Sequence, residues 1–278
     1  MSTTRAAHRP LRSVARAMVA AVLALIAAVA LVGPWLAPHS PTAVVGLPYS
    51  LPGTVDGAPL GTDYLGRDVL SRVLNGGLAV VTTGVVATVA SSLLGAAIGL
   101  TAALYAPRRP WVDGVLIRTL DAVTAIPPLL LLLLIVAALP GHLSVVLAVV
   151  VTGVPLTARV LRASAASVVQ RSHVEVALAR GERLPWLIGR EVLPLVSAPL
   201  LADAGIRFVQ SVYAVVAIGF LGLGTGAADW GVLISEAMPG ATLQPWALAV
   251  PVLIVAALAV ATNVLADDVG RRSRRLLA

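Results

Sequence analysis

The sequence predicts an all-α integral membrane protein with six transmembrane helices, and three observations carry that prediction. Of the 278 residues, 58% are hydrophobic and only 12% charged, more apolar surface than a soluble domain of this length can hide. The apolar runs reach about 20 residues, long enough to cross a hydrocarbon core of about 30 Å. These Ala-, Leu- and Val-rich runs show no two-residue alternation. Their backbone groups are therefore satisfied within helices and not around a barrel.

The first span covers about Ala17–Ala37 and follows Arg5, Arg9, Arg12 and Arg16. Basic residues before an apolar run resemble a signal peptide, but this run exceeds the usual signal core, so an uncleaved anchor is expected. Pro38, Pro41, Pro48, Pro52 and Pro59 then favour an extended, non-helical connection. The stretch Gly61–Arg72 is expected to begin with a turn and end as a short amphipathic helix, with Asp63, Arg67 and Asp68 facing water. The remaining spans fall at about Leu78–Tyr105, Val115–Leu139, Leu143–Val160, Leu195–Leu223 and Trp246–Ala266. This gives an N-terminal part, 1–77, holding the tail, first span and proline-rich segment, and a five-helix core, 78–278.

Six spans place both termini on one side. With the N-terminus inside, all but three of the 20 basic residues lie on the inner face; Arg67 and Arg72 fall outside and Arg207 within the fifth span. The positive-inside rule then predicts cytoplasmic termini. Trp35, Trp111, Trp186, Trp230 and Trp246 all fall near span ends or in adjoining loops, as an aromatic belt requires, with Trp186 assigned instead to a docking surface.

Composition excludes several functions. There is no cysteine, hence no disulfide, thiolate metal site or cysteine nucleophile. His8, His39, His142 and His173 are scattered without zinc-site spacing. Every basic residue is arginine, so a phosphate-binding loop, which needs its lysine, cannot form. Any nucleotide that powers the protein is bound by another subunit. The net charge of +7 reflects arginines flanking spans and gives no reason to expect nucleic acid. No hydrolytic or redox constellation is present, so the chain alone is not expected to be an enzyme.

The longest inner loop, Leu161–Pro194, is polar and arginine-rich. Val168, Val169, Val174, Val176, Ala177 and Leu178 can form a short amphipathic helix, which Gly181 can break because glycine accepts positive φ. A second helix is expected over Pro185–Val192, with proline at a tolerated early position. Two short helices at an angle expose a knob, with Arg180, Glu182 and Arg183 available for ion pairs with a partner. Within the spans, Arg118 and Asp121 are placed to pair on one face. Asp203, Arg207 and Gln210 form a polar stripe on the fifth span with Tyr213 at its edge. That stripe either lines a translocation chamber or closes into a neutral Asp203–Arg207 pair; intramembrane charge is costly enough to need one or the other.

Glu175, Ala177, Gly181, Val192, Leu193 and Pro194 stand at the spacing of a known signature, and the chain resembles the inner-membrane permeases of binding-protein-dependent ABC importers. Within that family it looks like the C-type permeases of dipeptide, oligopeptide and nickel importers. Leu60-Gly-Thr-Asp-Tyr-Leu-Gly-Arg-Asp-Val-Leu-Ser-Arg72 is similar to the family motif after the first span. Trp111, Asp113, Arg118, Asp121 and Pro127 match the third span. Phe220–Gly224 with Trp230-Gly231, and Pro245-Trp246, Pro251, Asn263 and Asp267, match the last two spans. Departures are Val176, Arg180, His173, Val215, Leu78 and the terminal Asp267-Asp268-Val-Gly-Arg-Arg.

The resemblance implies a type I importer permease fold in a bacterial plasma membrane. It implies that Glu175, Ala177, Arg180, Gly181, Glu182, Arg183, Val192, Leu193 and Pro194 form the ATPase-coupling loop. It further implies a second permease, two cytoplasmic ATPase subunits that bind ATP and Mg, and an extracytoplasmic binding protein that delivers a peptide or related solute. Asp203, Arg207, Gln210 and Tyr213 are the candidates for lining the path. The alternative reading is a proton-coupled secondary transporter, with Asp121 and Asp203 as proton sites.

Overall fold

The computed structural model describes the backbone of residues 8–139, 141–224, 226 and 228–277, and side chains of these from 17 to 268. The helices are α1 (His8–Leu36), α2 (Val69–Tyr105), α3 (Pro110–Thr124), α4 (Pro128–Ala138), α5 (His142–Val169) and α6 (Ser172–Ala179). They continue with α7 (Leu184–Leu223), α8 (Trp230–Ala237) and α9 (Pro245–Leu277). The arginines before the first span and after the last, on which the orientation argument leans, lie outside the described side chains.

Five helices are long and apolar enough to cross a membrane, and α3 with α4 gives a sixth only as a pair bent by 85°. The continuous third span expected over Val115–Leu139 is therefore corrected to a broken one. The cause lies in Pro127 and Pro128. Neither has an N–H, and a residue followed by proline is pushed to extended backbone, as Pro127 is at φ −54°, ψ 126°. The 11 residues of α4 reach only about 16 Å, short of a bilayer core.

Two compact units divide the chain: Met1–Thr83 with Val215–Leu265, and Gly84–Ala214 with Ala266–Ala278. In the first, the proline-rich connection is non-helical as expected, held by turns and by isolated bridges Val44–Arg67 and Thr62–Asp68. Gln244 staples it by donating from Nε2 to the carbonyls of Ser50 and Leu60 at 3.1 and 2.8 Å. Trp230 is fully buried and donates Nε1–H to the carbonyl of Val73 at 3.0 Å. It is a core residue and not part of an aromatic belt, whereas Trp35, Trp111 and Trp246 are exposed. No separate helix forms over Gly61–Arg72; the last residues of that stretch already belong to α2.

In the second unit α2 packs on α5 through glycine. A Cβ at Gly99 would stand 2.3 Å from the Ala158 carbonyl oxygen, and one at Gly95 would stand 2.6 Å from Thr157. Small residues let the two backbones approach as closely as membrane helices allow. The C-terminal parts of α2 and α5 then enclose Leu100, Ala103, Leu104, Leu161, Ala165 and Val168, and this cluster extends into the loop that follows.

Candidate functional site: a glycine-broken loop and two polar clusters

The loop between α5 and α7 is built on that cluster. Val174 and Ala177 of α6 are fully buried in it, as are Leu187 and Val192 of α7, while Glu175 and Val176 point to solvent. α6 ends at Ala179, and Gly181, two residues on, has φ +77°. The Gly181 N–H donates to Leu178 O at 3.1 Å and the Glu182 N–H to Ala177 O at 3.2 Å. Those two bonds form a Schellman motif, which satisfies the last helix carbonyls and needs a left-handed residue at this position. Arg180 and Arg183 are exposed and Glu182 half-buried, so the turn carries its charges on the outside of a packed base. His173 and Glu191, 3.8 Å apart, join α6 to α7 when the imidazole is protonated.

The second loop helix expected over Pro185–Val192 is corrected in one respect: it does not end. Leu184–Trp186 passes through a π-helical stretch at Leu187–Val192 straight into the fifth span. The widened turn lies just before Pro194, where the helix has no N–H to offer. Val192 is buried, Leu193 half-buried and Pro194 exposed.

Further along α7, Asp203 and Arg207 are buried. Arg207 Nε donates to Asp203 Oδ1 at 3.3 Å, Thr157 of α5 donates its hydroxyl to Asp203 Oδ2 at 2.6 Å, and Arg207 Nη1 reaches Gln210 Oε1. Each charge thus has a partner, which a buried ion requires. Gln210 and Tyr213 remain exposed beyond this closed pair. The Arg118–Asp121 pair expected from spacing is corrected. Asp121 instead accepts from Arg159 of α5 at 2.5 Å, and Asp113 is held by the Arg162 fork.

The second polar cluster lies in the other unit. Asp63 Oδ2 accepts from Arg67 Nε at 2.7 Å and Arg72 Nη1 at 2.6 Å. Glu236 Oε2 of α8 accepts from Arg67 Nη2 at 2.9 Å and Arg72 Nη1 at 2.7 Å, and Tyr64 donates to Oε1 at 3.2 Å. Burial alone would lower the Arg67 pKa, but the Asp63 carboxylate, with help from Glu236, more than offsets it and holds the guanidinium above its usual value. Asp63, Arg67 and Asp68 are all buried, correcting the expectation that they face water. Asp68 caps α2, accepting from the Leu70 and Ser71 N–H groups at 3.1 and 3.0 Å.

Residues 95–275 match the family model described as binding-protein-dependent transport system inner membrane component. The chain belongs to that family. The transport component is 34% identical, over 88% of its own length and 82% of the other's, to a Brucella suis protein named as a putative peptide transport system permease. It is 32% identical to the di/tripeptide transport system permease protein DppC of Pseudomonas aeruginosa, covering 87% of this chain and 82% of that one. Among solved structures it is similar to an inward-facing form of the MetNI methionine ABC transporter, with a TM-score of 0.51 at 19% identity. That match covers 68% of this chain and 94% of the other, and it shows the fold to be that of an ABC importer permease. Family membership sets aside the proton-coupled alternative: the chain is a membrane-embedded permease component of a binding-protein-dependent importer. The matched region contains the glycine-broken loop between α5 and α7 and the α7 stripe but not Asp63, Arg67 and Arg72. Glu236 escaped the sequence reading, although an acidic residue in the apolar stretch Trp230–Pro239 needs a buried partner, and that need is a usable signal.

Proposed function

We propose that this permease carries peptides or a related small solute across a bacterial plasma membrane, driven by ATP bound with Mg on two partner ATPases. Its termini lie in the cytoplasm, and a second permease completes the path for solute handed over by an extracytoplasmic binding protein. The names of the relatives, peptide and di/tripeptide permeases, support the substrate class, and the arginine distribution supports the orientation. Nucleotide hydrolysis falls to the partner ATPases in this reading: lacking lysine, the chain has no residue to grip the nucleotide phosphates as a phosphate-binding loop does.

The observation that carries this reading is the loop. Its buried base, with Val174, Ala177, Leu187 and Val192, keeps the knob rigid, while Glu175, Val176, Arg180 and Arg183 form the exposed edge. A rigid convex knob fits a cleft in an ATPase subunit, and closure of two ATPases would move two such knobs together. Since α7 starts in the knob, movement there tilts the stripe-bearing helix directly. Gln210 and Tyr213 line the path, and the Asp203–Arg207–Thr157 group fixes the helix behind them. Nickel chelates remain a second substrate class only by resemblance, and no cluster of His, Asp or Glu among the described residues could hold a metal ion.

Cross-linking tests the proposal. Val176→Cys, in a chain without other cysteines, should form a short cross-link to an engineered cysteine in the ATPase cleft, and ATP should change its yield. Free reaction of the introduced thiol with a bulky maleimide in the assembled, active transporter would reject the coupling assignment.

A further inference from the structure

Helix α3 presents a face that the function above does not use. A short turn separates it from the end of α2, and it passes into α4 through the 85° bend, so it runs across the direction of α4. One side is occupied: Leu120 is buried, and Asp113 and Asp121 are held by Arg162 and Arg159 of α5. The other side is bare. Trp111, Val115, Ala122 and, just past the helix, Ile126 recur at near-helical spacing, with Trp111 66% and Val115 57% exposed. Arg108, Arg109 and Arg118 are exposed around this stripe, and none pairs with a carboxylate of the described residues.

We propose that α3 is an in-plane anchor that binds anionic lipid of the inner leaflet. Trp111, Val115 and Ile126 enter the boundary between headgroups and acyl chains, and the three arginines take lipid phosphates. An apolar stripe with a tryptophan, flanked by arginine on a short helix lying across a membrane segment, is the composition of an interfacial helix. Guanidinium groups not engaged by carboxylates match phosphate in charge and in fork geometry. The buried Leu120 and the two ion pairs to α5 set the roll of α3, which turns the stripe away from α5. Anchoring would hold the inner ends of α4 and α5 at one depth while the neighbouring knob moves. This inference rests on the orientation proposed above, because residues 106–126 must lie on the inner side.

Val115→Cys provides a single attachment point in the assembled transporter, with partner subunits made cysteine-free. A fluorophore there is read in phosphatidylcholine nanodiscs containing nitroxide-labelled phosphatidylglycerol or, at equal mole fraction, nitroxide-labelled phosphatidylcholine. Both should quench, the anionic lipid about twofold more strongly. Replacing Arg108, Arg109 and Arg118 together by glutamine should equalise the two while leaving quenching itself. If that variant does not assemble, the preference of the parent protein decides alone. Equal quenching in the parent overturns the proposal. So does no quenching, which would assign the face to the ATPase or the second permease. Labelling of the Val115→Cys variant by a membrane-impermeant maleimide applied outside intact cells overturns the orientation, and it is read independently of quenching.

Discussion

Arg72 shows how much a single side chain carries here. Its guanidinium is buried between Asp63 and Glu236, with both contacts at or below 2.7 Å. Removing one partner of a buried charge group leaves the others uncompensated, which costs about 3–5 kcal/mol. Arg72→Leu should lower the thermal unfolding midpoint of the purified protein far more than Arg118→Leu, whose guanidinium is exposed. Gly181 makes the second test at this scale. No atom lies within 4 Å of where its Cβ would be, so space does not restrict it; φ does. Gly181→Val should strain the Schellman turn by about 1–2 kcal/mol, and Gly181→Asn should do so less, because asparagine tolerates the left-handed region. ATPase stimulation by loaded binding protein should fall in the order glycine, asparagine, valine.

At the scale of elements, the α2–α5 contact depends on glycine. Gly99→Leu would drive a side chain into the Ala158 carbonyl and should destabilise the unit by about 1–3 kcal/mol, measurable as earlier unfolding, with Gly99→Ala intermediate. The sequence disclosed the helices themselves well, because apolar length is a direct physical signal; the six spans it suggests appear as five long helices and one bent pair. It disclosed the knob too, since a glycine at 181 between two amphipathic stretches admits few alternatives. It failed where pairing depended on distant segments. The spacing of Arg118 and Asp121 looked sufficient, yet Arg159, on another helix, offers Asp121 a better-directed fork. Asp63, Arg67 and Asp68 looked solvated because their partners Glu236, Arg72 and Ser71 include one from far along the chain. Pro127 and Pro128 were visible in the sequence, but their effect was hidden inside a long apolar run that length alone reads as continuous.

For the whole molecule, the energy source separates the importer from an ion-coupled carrier. Uptake by the assembled system in vesicles loaded with ATP should persist when a protonophore collapses the gradient and should stop when ATP is removed. The reverse pattern would contradict the family assignment. The Asp63–Arg67–Arg72–Glu236 cluster also constrains how the molecule is made. Arg72 and Glu236 are separated by 164 residues, so at the usual pace of about 5–20 residues per second the ribosome needs roughly 10–30 s to supply the second after the first. Throughout that interval the second carboxylate of the cluster is absent, and the apolar body of α2, the α3–α4 pair, α5 and α7, four segments in all, are made before Glu236. The fold therefore closes its early part with a late residue. A chain released before α8 is made would leave Arg67 and Arg72, two buried guanidiniums, with one carboxylate where the finished fold supplies two.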